Sequence, residues 1–514
     1  IFAANDSEVT QIGVLNNSVV SQIGVTNVSD VIQLGGLNGS SVTQLGLDNS
    51  SYVYQLGGLN GSLVLQTGNK NTSNVNQLGI ANGSFVAQLG SDNDSMVDQD
   101  GGLNGSLVLQ TGNENTSDVL QAGYVNLSVV AQLGNENSSD VIQTGNGNGS
   151  IVLQTGNDNT SEVEQNGDFN LSLVYQDGDG NFSDVDQERG NNNGSIVAQI
   201  GNENYSDVDQ DNGDYNGSIV LQIGNGNDSE VDQEDGDNNG SIVAQIGTDN
   251  DSDVRQEDGN YNGSFVLQVG DDNDSDVDQD DGDYNGSIVV QLGNHNESDV
   301  DQDDGDYNGS IVLQVGNYND SEVDQEDGDY NGSIVAQIGN DNDSDVRQED
   351  GNYNGSFVLQ VGDGNDSDVR QEDGDYNGSI VLQVGNYNDS EVDQEDGSYN
   401  GSFVLQVGDD NDSDVRQEDG SYNASVVLQY GNYNDSDVYQ TGDHNGSLVA
   451  QLGWDNMSTV TQSGNGNISG VLQAGWNNTS TVTQTGNGHL SGVLQIGAGN
   501  MSTVTQTGGG PTLD

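Results

Sequence analysis

The 514-residue chain has no cysteine and a single proline, Pro511. The absence of cysteine excludes disulfide bonds, thiolate metal ligands and thiol nucleophiles. Only 30% of the residues are hydrophobic, and no apolar run approaches the roughly 20 residues that a membrane-spanning helix needs. A conventional apolar core and insertion into a membrane are therefore not expected.

Positive charge is almost as scarce. Six lysines and arginines stand against 84 acidic residues, which gives a formal net charge of −78 at pH 7. Such a chain repels nucleic acid and anionic membrane surfaces, and it suits cations or basic partners instead. The sequence begins at Ile1 rather than methionine, which is typical of a secreted chain after removal of its signal, so we expect an extracellular protein.

The chain does contain an eleven-residue sequence repeat, Asn-x-Ser-x-Val-x-Gln followed by a glycine-containing segment. It occurs in 45 copies between Asn5 and Gln506, and His489 replaces the first Asn in one of them. A fixed short period indicates a repeat protein with one continuous body. We assign residues 5–507 to that body, residues 1–4 to an N-terminal extension and residues 508–514 to a C-terminal tail.

Within each copy, Asn, Ser, Val and Gln are separated by steps of two, so a β-strand places all four side chains on one face. The intervening residues are often acidic, as in Asp320, Glu322 and Asp324, and carboxylates in such numbers cannot face a packed interior. The four repeated side chains therefore point inward. Examples from the two kinds of copy are Asn60, Ser62, Val64 and Gln66, and Asn319, Ser321, Val323 and Gln325.

The glycine-containing segment between each Gln and the next Asn predicts an arc that reverses the chain. Frequent glycine and a β-branched Val in every copy oppose helix. Two strands and two arcs then form one rung. The expected fold is all-β: a two-sheet β-solenoid of cross-β, amyloid-like type, with about 22 rungs of 22 or 23 residues. Stacked rungs place Asn on Asn and Gln on Gln, so we expect every buried amide to be paired with a neighbour.

The combined spacing Asn-x5-Gln-x4-Asn-x5-Gln, with glycine after each Gln, resembles the curlin repeat of bacterial curli fibres over residues 5–506. The resemblance implies a two-sheet β-solenoid that polymerises into extracellular functional amyloid, a material of the biofilm matrix and of adhesion. The chain has Ser where the curlin repeat usually has Ala, and it carries many more copies than a typical curlin subunit.

Outward residues differ between alternate copies. Even-numbered copies are apolar and odd-numbered copies are acidic, as in Asp251 and Asp253. An apolar strip of this length exceeds what a soluble monomer usually exposes, so we expect two rods to pair laterally through it. The residues that represent this contact are Ile219, Leu221, Ile223, Phe265, Leu267 and Val269. The alternative, in which even copies turn their Ile, Leu and Val inward, conflicts with the Val and Gln that both kinds of copy share.

Acidic clusters offer a candidate cation site. Ca²⁺ binds six to eight oxygens in flexible geometry, and the representative cluster is Asp299, Asp301, Asp303, Asp304 and Asp306. Its spacing does not match an EF-hand, because Gly305 comes one place late. A solvated acidic face is the favoured interpretation, with no cofactor, and Ca²⁺ or another cation at the acidic arcs is the alternative.

Two further columns follow from the period. A tyrosine precedes the Asn of eight copies at intervals of 23 residues: Tyr261, Tyr284, Tyr307, Tyr330, Tyr353, Tyr376, Tyr399 and Tyr422. Outward threonine pairs recur every 22 residues, in an arrangement similar to ice-binding solenoids: Thr459 with Thr461, Thr481 with Thr483, and Thr503 with Thr505. No catalytic constellation is evident, so we do not expect an enzyme.

Taken together, these features favour a secreted structural subunit of a curli-like fibre at a cell surface or in a biofilm matrix. Such subunits would join end to end by strand stacking and serve matrix cohesion, adhesion or surface protection. The alternative is a monomeric solenoid that binds a ligand, either a calcium-dependent adhesin or an ice binder. Filaments favour the first interpretation, and a discrete particle with a ligand-linked effect favours the second.

Forty-four copies are also formal Asn-x-Ser glycosylation sites, and we expect them to remain unmodified because the same parity that buries Val buries their Asn. The mature chain should therefore have an intact mass close to 53.8 kDa. Mass spectrometry of native material before and after enzymatic deglycosylation checks this. A large mass excess that deglycosylation removes would contradict the inward placement of Asn.

Overall fold

The structure, a computed structural model, describes residues 4–509, and every regular element among them is a β-strand. Residues 1–3 and 510–514, which belong to the expected extension and tail, lie outside the described residues. The chain divides into two compact units, residues 1–250 and 251–514.

The first unit contains 22 strands. They are β1 (Asp6–Val14), β2 (Asn17–Val25), β3 (Val28–Gly36), β4 (Gly39–Leu47), β5 (Ser50–Gly58), β6 (Gly61–Asn69), β7 (Thr72–Ile80), β8 (Gly83–Ser91), β9 (Asp94–Gly102), β10 (Gly105–Asn113), β11 (Thr116–Tyr124), β12 (Leu127–Asn135), β13 (Ser138–Asn146), β14 (Gly149–Asn157), β15 (Thr160–Asn166), β16 (Leu171–Asp179), β17 (Phe182–Glu188), β18 (Gly194–Asn202), β19 (Tyr205–Asp211), β20 (Gly217–Asn225), β21 (Asp228–Glu234) and β22 (Gly240–Thr248).

The second unit continues the same pattern. Its strands are β23 (Asp251–Gln256), β24 (Gly263–Asp271), β25 (Asp274–Gln279), β26 (Gly286–Leu292), β27 (Glu297–Gln302), β28 (Gly309–Val315), β29 (Asp320–Gln325), β30 (Gly332–Ile338), β31 (Asp343–Gln348), β32 (Gly355–Val361), β33 (Asp366–Gln371), β34 (Gly378–Val384), β35 (Asp389–Gln394), β36 (Gly401–Val407), β37 (Asp412–Glu418), β38 (Ala424–Asn432), β39 (Asp435–Thr441), β40 (Gly446–Trp454), β41 (Met457–Ser463), β42 (Ile468–Trp476), β43 (Thr479–Asn487), β44 (Leu490–Ala498) and β45 (Met501–Gly509).

Within each unit, a strand pairs in parallel with the strand two places along the chain, so odd-numbered strands build one sheet and even-numbered strands the other. The register joins identical positions of the repeat. In β6 and β8, Gln66 lies beside Gln88, and in β29 and β31, Gln325 lies beside Gln348. The predicted two-sheet β-solenoid is confirmed in both units.

The apolar part of the interior is thin. The repeated valines, such as Val64 and Val323, are fully buried, and the other large buried side chains are the repeated glutamines. Because each copy contributes a single Val to this core, polar side chains have to fill most of the space between the sheets. The hydrogen bonds of those side chains therefore decide whether the fold is stable.

The arcs are shorter than expected in the regular copies. Strand β6 continues through Gly68 to Asn69, and only Leu59 and Asn60 separate it from β5. The expectation that the whole segment after Gln forms an arc is therefore wrong there. It holds for odd strands of the acidic middle, where β29 ends at Gln325 and residues 326–331 form the arc. The residue before each Asn reverses the chain with a positive φ, as at Tyr330 (62°).

The glycine after Gln has a steric role. Gly316 has a φ of 134°, and a Cβ on it would overlap the carbonyl oxygen of Gly339 in the next layer. Such backbone is open to glycine and strained for other residues. By contrast, a Cβ on Gly309, at the other end of β28, would meet no atom nearer than the Gly286 carbonyl oxygen at 4.0 Å.

This difference yields a matched pair of substitutions. Gly316→Ala should destabilise the fold by about 1–3 kcal/mol through backbone strain and overlap, whereas Gly309→Ala should be neutral or slightly stabilising. Urea unfolding monitored by circular dichroism measures both changes. Equal losses in the two variants would show that glycine is needed for a reason other than contact between layers.

Candidate functional site

Columns of buried glutamines link successive layers, and those of the even sheet also link the two sheets. The buried Gln66 side chain donates through Nε2 to Oε1 of Gln88 (2.9 Å), and also to the backbone oxygens of Ser50 (2.8 Å) and Asn71 (3.0 Å). The Ser50 contact crosses from the even sheet to the odd sheet. The odd sheet has a glutamine column of its own, in which Gln325 donates to Oε1 of Gln348 (2.8 Å). Glutamine thus ties layers together and also ties the two sheets together.

The asparagine columns run in the opposite direction. Asn319 donates through Nδ2 to Oδ1 of the preceding Asn296 (3.0 Å), while each Gln donates to the following layer. In the even sheet, the backbone N–H of Asn60 donates to Oδ1 of Asn38 (3.2 Å) and its Nδ2 donates to the Gly79 carbonyl (3.1 Å). Asn319 makes both equivalent bonds in addition to its bond between side chains. Asn60 and Asn319 are both buried, as are most other asparagines of the Asn-x-Ser glycosylation sites.

Full pairing of the interior does not hold, and that expectation is wrong. Ser62 and Ser321 face inward, but their Oγ atoms have no hydrogen-bond partner among the described residues, and neither has Nδ2 of Asn331. Asn400 still donates to the Gly420 carbonyl (3.0 Å). Nδ2 of Asn423 likewise has no partner among the described residues. The even-sheet asparagines of the second unit therefore differ in how fully their amides are paired.

The even sheet presents an apolar outer face. Ile219 is 40% exposed and Ile223 is 36% exposed, with Leu221 half-buried between them. Phe265, Leu267 and Val269 are half-buried on the same face of β24. The first residue of most even strands is glycine, and these glycines also point outward. These glycines were not among the predicted site residues, although their recurrence directly after most even-copy asparagines is visible in the sequence.

The odd sheet brings together part of the acidic cluster that the sequence suggested. Carboxylate oxygens of Asp301, Asp303 and Glu326 lie within 4.8 Å of one another. Asp299 and Asp304 are exposed outside this group. Asp306 belongs to the arc, where its Oδ1 accepts the backbone N–H of Asp283 (2.8 Å). Three carboxylates form only part of a calcium shell, and cation binding here stays a prediction.

Stacked carboxylates raise one another's pKa. Burial, together with neighbouring Asp303 and the adjacent layers, raises the pKa of Asp301 to about 8. Burial and nearby acids likewise raise the pKa of Asp278 and of Asp324 to about 7. Burial disfavours the ionised form of each carboxyl group, and repulsion between carboxylates in successive layers disfavours it further.

Arginine relieves this repulsion locally. Arg347 Nε lies 3.2 Å from Asp324 Oδ2 in the preceding layer and 3.3 Å from Glu349 Oε1 in its own strand arc. Arg416 bridges Asp393 (3.4 Å) and Glu418 (3.4 Å) in the same way. These arginines therefore act as interlayer charge bridges.

Aromatic and hydroxyl side chains also form columns. From Tyr261 to Tyr422 the eight tyrosine rings stack with centroids 4.8–4.9 Å apart and planes within 5° of parallel. Thr459, Thr481 and Thr503 are aligned by the strand register, as are Thr461, Thr483 and Thr505. The threonine array spans three layers only. His489, in place of a ladder Asn, contacts the carbonyls of Thr485 and Gly508 through Nε2.

The raised carboxyl pKa values predict a pH dependence. Because the folded state holds protons that the unfolded chain releases above pH about 4, unfolding free energy should fall as pH rises from about 4 to about 8. At pH 8, Asp301→Asn should raise the melting temperature, and added salt should raise it in the parent chain by screening. Asp304→Asn, at an exposed position, is the control. A melting temperature that rises with pH over this range would contradict the account.

Seven segments match the model of the curlin associated repeat: residues 90–123, 112–145, 134–167, 156–188, 434–464, 453–486 and 476–508. None of the curated proteins compared with the chain matches it. No helix among residues 4–509 is long and apolar enough to cross a membrane. Curlin associated repeats are therefore present within residues 90–188 and 434–508, where they form parallel strands of the two-sheet β-solenoid.

Proposed function

We propose that this protein is the structural subunit of an extracellular, curli-like fibre, and that its chains join end to end by adding parallel strands to both sheets. Curlin repeats belong to structural rather than catalytic proteins, which supports a role in matrix cohesion, adhesion or protection of a surface. The alternative, a monomeric ligand-binding solenoid, is an outcome of the test below.

One observation carries the proposal: each layer pairs with the next in one repeating register. In β1 and β3, Val9 lies beside Val31 and Gln11 beside Gln33, and the same repeat positions pair in β43 and β45. A strand from another copy with the same repeat would therefore find complementary backbone and amide groups, which is the condition for growth by strand addition.

Purified full-length chain should form unbranched filaments of constant width, with a fibre-diffraction spacing near 4.8 Å along the axis. Val9→Pro should block elongation, because proline removes a ladder donor and cannot fit a central strand. Thr10→Lys, which changes an outward residue of the same strand, is the matched control and should retain filaments. Electron microscopy and circular dichroism together measure assembly and folding. A wild-type chain that stays a discrete folded particle would support the monomeric binder instead.

A further inference from the structure

The even sheet of the second unit carries glycines that its own fold does not explain. A Cβ added to Gly332, Gly355, Gly378 or Gly401 would meet no atom within 4 Å, and none of these residues has a positive φ. Glycine weakens a strand and contributes no side chain to packing. Since neither backbone geometry nor the interior requires it, the requirement lies outside the sheet.

These glycines form one margin of an otherwise apolar face. We call them the glycine shelf: Gly286, Gly309, Gly332, Gly355, Gly378 and Gly401. Six residues further along each strand, at the opposite margin, runs the rim column: Leu292, Val315, Ile338, Val361, Val384 and Val407. Between them, the third residue of each strand is Ile or Phe and the fifth is Val, Leu or Ala. One margin of the face therefore has no side chains, whereas the other margin carries protruding aliphatic side chains.

We propose that two copies of this chain pair through their even sheets about a two-fold axis parallel to the stacking direction, so that the rim column of each copy lies on the glycine shelf of the other. This pairing rests on the proposed structural function. Strands then run antiparallel across the interface, and third-position residues of one copy face fifth-position residues of the other. A two-fold axis along the strands would instead set shelf against shelf and leave a gap.

Three properties make a second copy the fitting partner. Its layers have the same repeat of roughly 4.8 Å, so the fit recurs in every layer. In the even strands from β26 to β36, the outward positions from shelf to rim carry no charge. The acidic outer face of the odd sheet would instead repel the same face of a second copy. Finally, Ile311 is 40% exposed, which corresponds to roughly 70 Å² of surface. Two such columns over the six layers from β26 to β36 offer roughly 800 Å², the contribution of one partner to a standard interface.

The pairing is tested by placing valine side chains on the glycine shelf. In full-length protein, Gly309→Val, Gly332→Val and Gly355→Val together place side chains in open space, so each solenoid should fold and elongate normally. Mass per length from dark-field electron microscopy should nevertheless fall twofold relative to wild type, because pairing is lost. Thr459→Val, Thr481→Val and Thr503→Val replace three hydroxyls with methyl groups on the odd sheet, which makes a surface outside the shelf more apolar, and they should leave the paired mass unchanged.

A compensating set tests the register. Val315→Ala, Ile338→Ala and Val361→Ala in the shelf-filled chain trim the rim column and should restore the doubled mass per length. Trimming the fifth position instead, with Leu313→Ala, Leu359→Ala and Leu382→Ala, should not restore it. Wild-type filaments with the mass of one solenoid, or shelf-filled filaments that stay double, would overturn the pairing.

The failure of filament growth is a separate result. If wild-type chain forms no filaments, the proposed function is wrong, and sedimentation of the soluble chain then decides the pairing. A dimer that the shelf valines convert to a monomer supports the pairing, and a monomeric wild type overturns it.

Discussion

In-register stacking of buried glutamine amides is the interaction on which this protein depends. Each Gln donates to the next layer, and Gln66 also donates across to the opposite sheet. Loss of one such partner leaves a buried donor or acceptor unsatisfied, at a cost of about 1–3 kcal/mol. With only 30% hydrophobic residues, the chain has little apolar burial to compensate. The amide column therefore explains how so polar a sequence folds.

The same column frees the outer surface to vary. Because strand identity is specified by inward residues, one sheet can carry Ile and Phe while the other carries stacked acids. Ionisation of the stacked acids is unfavourable, since burial and neighbouring acids raise the pKa of Asp301 to about 8. Arg347 and Arg416 relieve only the layers they touch. The contrast between the faces, more than the shared interior, distinguishes this chain from a generic solenoid.

Much of the fold follows from period and parity alone. Alternation of two is enough to place Gln66 inward and Asp320 outward, and the repeat length is enough to predict two strands per layer. The shortened arcs were not predictable, because Gly68 looks like a turn residue and yet lies in the strand. Nor was the unpaired Nδ2 of Asn331, because Asn331 has the same repeat position as Asn400, whose Nδ2 is paired.

The candidate surfaces were predictable in composition but not in contact. Sequence spacing grouped Asp306 with Asp301, whereas the structure uses Asp306 to accept a backbone N–H in the arc. The outward glycines were visible in the sequence as well. Their meaning required knowing that Gly332 faces open space, while Gly316 touches the next layer.

Strict register between layers has a consequence for how such a chain changes length. Gain or loss of a whole 22- or 23-residue layer leaves each remaining strand beside an equivalent one. Gain or loss of a single 11-residue copy preserves the interior just as well, yet it transfers every later copy to the opposite sheet. Acidic and apolar outer residues would then exchange sides partway along the molecule. Expansion and contraction in pairs of copies is therefore the change that keeps both faces continuous.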